Sequence, residues 1–485
     1  MKTVNRTLCI FLLLTVLSGL AGCVARSGPD ITKFGLSDAE IAADLGELPQ
    51  DLTVYAERAG ANTVLFAPDR QAAEDEKFNR RFFAAWDSGV GHLPKERVFE
   101  ALNSMKPEKG FAENLRPYTD KVWQGLIANC FQEAYGNFAV RPAITVGTAH
   151  LRRMPTDLPY FVDPGQAGEG FPFDYMQNSV LWAGTPVAVI HVSRDLNWVY
   201  VQTHLVSGWT RATNLAVVDK AFISAWKSPP LGVIVQDNVE LPVVTRKADA
   251  VTGGEISVLA NVGTVLPLAA RPSGVREPKS PHVFIHVPVR GTDGRAIMGT
   301  ALAPMYATRK KPLPLTPGHV ASVGNAMMGQ PYGWGGFYGR RDCSAAMRDL
   351  FAPFGIWLPR NSRPQGQMGE RRDLSGLAPD AKEEAIMQKG VPFFSLVSMP
   401  GHVGLYLGAY PKKTGKVEKD VPVMFHNVWG LRVVTGSGKN KREGRGVIGK
   451  AVVTTLRPGV EHPDISTPAS LLDRVAGLAI LQGLQ

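Results

Sequence analysis

Three residues in the last third of the 485-residue chain could do chemistry together: Cys343, His402 and His426. A thiol followed by two imidazoles supplies a nucleophile, a base to take its proton and a group to orient that base. Such a set attacks acyl carbon and passes through a thioester. Cys343 lies in Asp342-Cys343-Ser344. Asp342 has the character of a helix cap, and a helix is predicted over 344–351, ended by Pro353 and Gly355. Unpaired N–H groups at a helix start favour thiolate over thiol, so a lowered Cys343 pKa is expected. The alternative for a lone cysteine is a small buried apolar residue.

His402 opens a run in which Val403, Leu405 and Leu407 alternate to one strand face, leaving His402, Gly404 and Tyr406 on the other. Gly404 should leave room for substrate beside the imidazole. Segments 402–409 and 421–428 read as paired strands. Setting 402 opposite 426 centres the connection on Lys413-Thr414-Gly415 and places both imidazoles on one face. His426 then orients His402, while Asn427 points away. Alone, His402 reads more readily as a satisfied surface or core histidine.

The elements that must position these groups follow from composition. Fifty Gly and 36 Pro suit many turns and small β-barrels better than long bundles, and the length exceeds one ordinary core. Residues 23–135 carry helical signals, beginning with the capped Ser37-Asp38-Ala39-Glu40; the stretches 94–105 and 117–135 read as two helices of a cap or spacer. Residues 136–220 and 221–312 read as two blocks of short strands, the second a divergent copy of the first. Lys310 to Pro317 is a linker into a last domain, 313–485, with a helix over 320–328 and an amphipathic helix over 470–484.

Lys2, Arg6 and the apolar run Leu8–Leu17, too short to span a bilayer comfortably, form a leader over residues 1–22. Leu20-Ala21-Gly22-Cys23 resembles the bacterial lipobox, which implies a lipid on Cys23 and an exported, membrane-anchored protein; by that resemblance Val24 favours the outer membrane of a Gram-negative cell. Fifty-three basic against 43 acidic residues give +10; without Lys2 and Arg6 the balance is 51 minus 43, or +8. In an exported chain that charge meets anionic lipid and wall polymers, not nucleic acid. With Cys9 in the leader and Cys23 lipidated, only Cys130 and Cys343 remain. A disulfide between them would silence Cys343, but the apolar helical setting of Cys130 points to a core thiol.

Tyr332-x-Trp334-Gly335-Gly336, Asp342-Cys343-Ser344 and Gly401-His402-Val403-Gly404-Leu405-Tyr406-Leu407-Gly408 resemble the motifs of NlpC-type cell-wall cysteine peptidases. The strand blocks resemble bacterial SH3-like domains of wall enzymes. The resemblance implies a multidomain α+β chain: an N-terminal helical region, two SH3-like barrels and a papain-like peptidase domain. It implies Cys343 as nucleophile, His402 as base, His426 as third residue, and Tyr332 beside the Cys343 N–H in an oxyanion hole. Asp342 and Ser344 would hold the free amine of an N-terminal L-Ala, with Ser362 and Trp334 as further substrate contacts. The implied reaction cleaves stem peptides of peptidoglycan between γ-D-glutamate and diaminopimelate or lysine, without cofactor or metal. Ala345 stands where the family commonly has glycine, and a longer hairpin must absorb the His402–His426 interval. Other classes remain open on these residues: a non-catalytic wall-binding lipoprotein, or an acyl or peptidyl transferase using the same thiol.

Overall fold

The computed structural model describes residues 37–484 except 88–89, 246–255, 278, 415–416, 437–441 and 463–469, so the leader and Cys23 lie outside the described residues. Among the described residues no helix is long and apolar enough to cross a membrane.

The two blocks of short strands each fold into a seven-stranded antiparallel sheet. The first orders Gln177–Leu181, Ala149–Arg152, Gly208–Arg211, Trp198–Gln202, Pro186–Val192, Arg141–Thr145 and Leu215–Val217 side by side. Numbered in chain order within each block, both sheets run three, two, six, five, four, one, seven. The second block is therefore a topological copy of the first.

The N-terminal helices are divided between two partners rather than forming a separate spacer. The Ser37–Glu40 capping box closes as expected, and the short helices after it bury Ile41 and Leu45 against Leu431 and Val452 of the last domain. Asp51 caps the helix Leu52–Arg58, while Asn325 of the last domain accepts from the Leu52 N–H at 2.8 Å. Gln71, in the helix Pro68–Phe83, donates to the carbonyls of Leu313 and Phe354. Residues 94–105 form two short helices broken at Phe99 instead of one, and 117–135 shrinks to Asp120–Asn129. Both pack on the first barrel, where Phe99, Trp123 and Cys130 join Tyr160, Met176 and Trp209 in one apolar cluster.

The last domain places α1 (Pro317–Asn325), α2 (Cys343–Phe351) and α3 (Pro379–Lys389) against a six-stranded antiparallel sheet. Its strands are β1 (Glu370–Asp373), β2 (Ser395–Met399), β3 (His402–Thr414), β4 (Val417–Thr435), β5 (Arg442–Thr455) and β6 (Gly477–Ile480), in spatial order β1-β6-β2-β3-β4-β5. The expected helix over 470–484 is corrected here: one turn, Leu471–Arg474, leads into β6, which inserts between β1 and β2 with all four residues buried. Gly477-Leu478-Ala479-Ile480 has no polar face, and a short apolar run is compatible with either element until its neighbours are known.

Candidate active site

Cys343 is the first residue of α2, and the Asp342 side chain caps that helix by accepting from the Ala345 N–H at 2.9 Å. The sulfur lies against the backbone on either side of His402: Sγ is 4.0 Å from the Gly401 carbonyl oxygen and meets the Val403 N–H. Cys130 and Cys343 are both free, which removes the disulfide. The expected low thiol pKa is overturned. Burial pushes the Cys343 thiol up to about 12 and the Asp342 charge adds to it, against the opposing pull of the Val403 and Ser344 N–H groups and Arg360.

His402 begins β3, and its Nε2 lies 2.7 Å from Nδ1 of His426 on β4. Burial, reinforced by Arg474, pushes His402 down to about 4, with Asp342 opposing; burial and the His402 charge hold His426 well below the usual range. The resting pocket thus holds a neutral thiol and two neutral imidazoles. Burial penalises each charge made alone. Passing the sulfur proton to His402 makes a pair of zero net charge, which loses much less.

The strand register differs from the expected one. β3 and β4 pair Leu405 with Phe425 and Tyr406 with Met424; a bulge before Gly408 then shifts the ladder, which closes at Thr414 opposite Val417. Continuing the inner register puts Gly404, not His402, opposite His426. The error is two residues, so His402 stays on the same face as a diagonal neighbour within reach of His426. Gly404 has a different use from the expected one. A Cβ there would stand 3.0 Å from the His426 Cβ, so the glycine makes room for His426 rather than for substrate. Asn427 faces the other way and donates to the Arg341 carbonyl at 2.9 Å.

Asp342 is committed to a partner the sequence analysis did not assign. Arg360 donates to its Oδ1 at 3.1 Å and Oδ2 at 2.7 Å, and also reaches Ser344 Oγ at 3.0 Å and Ser179 Oγ of the first barrel at 2.9 Å. Ser344 and the Gly335 N–H add hydrogen bonds to the same carboxylate. Burial opposes its ionisation, but Arg360 and these donors outweigh burial and hold Asp342 below the usual carboxylate range. Asp342 and Ser344, the residues expected to hold a substrate ammonium, thus already share Arg360, which balances the carboxylate charge. Ser362 begins the next helical turn, Ser362–Gln365, two residues beyond Arg360.

Tyr332 is half-buried, and burial together with the Cys343 and Asp342 charges raises its phenol well above the usual range, so it stays a hydrogen-bond donor. Gly335 and Gly336 turn through φ of 60° and 90°. A Cβ on either would strike Gln177 or Val180 at under 3 Å, so the pair lets this loop dock on the first barrel. Trp334 thereby meets Phe173 at 5.2 Å and Tyr175 at 5.7 Å between ring centroids, and Trp429 closes on Phe173 at 6.0 Å and Tyr332 at 6.0 Å. The Tyr175 hydroxyl donates to Glu169 at 3.1 Å. Neither these barrel residues nor Arg360 had a local signal. The barrels are also tied to the nucleophile helix: Arg341 pairs with Asp237 at 2.6 Å and Asp349 at 2.7 Å, and Trp182 donates to Asp349 at 3.0 Å.

Residues 329–434 match the NlpC/P60 family, residues 7–135 the N-terminal stabilising domain of NlpC/P60 proteins, and residues 159–211 an SH3 domain of the SH3b1 type. Among solved structures, the chain is similar to an NlpC/P60 endopeptidase from Photobacterium damselae subsp. piscicida, with 24% identity and a TM-score of 0.77 over 90% of this chain and 98% of that one. It also matches an NlpC/P60 family protein from Bacillus cereus at 16% identity and a TM-score of 0.42, over 70% of this chain and 99% of that one. The first of these likenesses bears on the fold. No curated protein sequence matches the chain.

Proposed function

Starting from a chain that carries an NlpC/P60 domain behind a stabilising and an SH3 domain, we propose that this protein is a cysteine endopeptidase of peptidoglycan stem peptides. The cleaved bond in this reading joins γ-D-glutamate to a diamino acid, diaminopimelate or lysine. The observation that carries it is the Cys343 sulfur set on the backbone flanking His402, with His402 bonded to His426 at 2.7 Å.

His402 takes the thiol proton as Sγ bonds to the carbonyl carbon. The oxyanion receives hydrogen bonds from the Cys343 N–H and Tyr332. The C–N bond then breaks as imidazolium returns the proton to the leaving amine, and the same imidazole activates water to release the acyl group. A raised thiol pKa and a lowered imidazole pKa suit this order of events, since no charge is present until substrate arrives. A preference for a free N-terminal L-Ala fits the first barrel closing on Tyr332 and Trp334. We assign the amine to Glu169 beside Tyr175, because Asp342 is paired with Arg360. A lipid anchor on Cys23 and an outer-membrane, periplasmic location complete the reading.

Defined L-Ala-γ-D-Glu-diaminopimelate tripeptide, incubated with purified protein and read by mass spectrometry, should yield L-Ala-γ-D-Glu and free diaminopimelate. Intact tripeptide after prolonged incubation would refute the proposal. Product formed equally with muropeptides that still carry sugar would remove the free-amine preference alone.

A further inference from the structure

The two imidazoles do not end the row of polar groups. Thr454, on β5, places its Oγ1 3.1 Å from Nε2 of His426, and the same hydroxyl lies 2.7 Å from the Thr455 carbonyl oxygen. β4 and β5 pair His426 with Val452 and Met424 with Thr454. Thr454 is thus displaced from His426 by two residues, as His402 is on the other side. His402, His426 and Thr454 form one straight diagonal across β3, β4 and β5.

A hydroxyl has one proton to give. The Thr455 carbonyl can only accept, so it takes that proton, and Oγ1 must accept from His426. His426 then carries its proton on Nε2 and presents a bare Nδ1. That nitrogen accepts from His402 Nε2–H, which leaves Nδ1 of His402 as the lone-pair nitrogen. The reverse arrangement, with Thr454 donating to His426, would push a proton onto His402 Nδ1 and spoil it as a base. We propose that Thr454 is a positioning residue that fixes the tautomers of both histidines, so that His402 meets the Cys343 thiol with an unprotonated Nδ1.

This inference rests on the peptidase reading for its kinetic consequence but not for its spectroscopic one. Among the described residues the charges that reach His402 are Arg474 and Asp342, and the one titratable group acting on His426 is His402. In protein labelled with ¹⁵N-histidine, His402 and His426 should both appear as Nε2–H tautomers at neutral pH; an Nδ1–H signal for His426 would overturn the inference, whatever the substrate. In turnover, Thr454→Val keeps the volume but removes the acceptor. It should lower kcat roughly 10- to 100-fold with KM little changed. It should also move the acid limb of the pH profile to lower pH, because imidazolium on His402 loses support. Thr454→Ser should restore rate and profile width to within about threefold of wild type. A valine variant with an unchanged profile, or a serine variant as poor as valine, would also overturn it. A wild-type protein that cleaves no stem peptide would count against the proposed function and leave the tautomer test standing.

Discussion

Cys130 ends a helix and Cys343 begins one. Both are buried free thiols, and burial pushes each up to about 12. Their surroundings differ in what else is there. Cys130, at the end of Asp120–Asn129, donates its S–H to the Leu126 carbonyl at 3.4 Å among aromatic rings, with only burial acting on it. Cys343 has the Ser344 and Val403 N–H groups at its sulfur and lies on the backbone flanking His402, whose ring is bonded to His426 and through it to Thr454. Resting acidity therefore does not distinguish a reactive sulfur from an inert one. What distinguishes them is whether the lost proton and the new charge have somewhere to go.

The comparison breaks most visibly in activity. Cys343→Ala should cut stem-peptide turnover by about four orders of magnitude, while Cys130→Ala should leave kcat/KM within about twofold. Comparable losses in the two variants would mean that the cysteines differ in stability alone. Next in size is Arg360→Ala, which strands a buried carboxylate beside the nucleophile and should cost about 3–5 kcal/mol in urea unfolding. A smaller loss would show that Asp342 finds another partner or takes up a proton.

The imidazoles that set Cys343 apart also carry an acid liability. Burial pushes His402 down to about 4 and a further imidazole, His204, to about 3 with Arg348 reinforcing, against an unfolded value near 6.5. The unfolded chain therefore binds more protons between those limits, so stability should fall as pH drops from about 6.5 towards 4. His402→Asn should flatten that fall; an unchanged slope would exclude His402 as a contributor. The smallest effect expected is on the other cysteine: Cys130→Ala should lower stability by about 1–2 kcal/mol through lost packing, with no change in the pH dependence of turnover.

How much of this was legible depended on whether the information was local. Cys343, His402 and His426 sit in short motifs whose order already states a chemistry, and period-two alternation put both imidazoles on the right face although the register was off by two residues. The ladder closes at Thr414 opposite Val417, three residues off the expected pairing, and the bulge before Gly408, which has no marker beyond one glycine in a strand, brings that offset back to two. Arg360 lies 18 residues from Asp342, and nothing local pairs them; the same arginine could have been a solvated surface charge. Thr454 looks like any β-branched strand residue until its hydrogen bonds are drawn. Phe173, Tyr175 and Glu169 belong to a barrel loop whose approach to Tyr332 and Trp334 is a matter of domain docking. The second barrel was readable in outline as a further block of short strands, such as 283–287, and the structure gives it the strand order of the first.

The most direct test of the difference between the two sulfurs is the rate at which each is alkylated in the folded protein, read by peptide mapping after brief exposure to iodoacetamide at neutral pH. Cys343 should react much faster than Cys130, and His402→Ala should slow Cys343 towards the rate of Cys130. Equal rates at the two cysteines in the wild-type protein, or a Cys343 rate indifferent to His402, would contradict the assignment of Cys343 as the nucleophile.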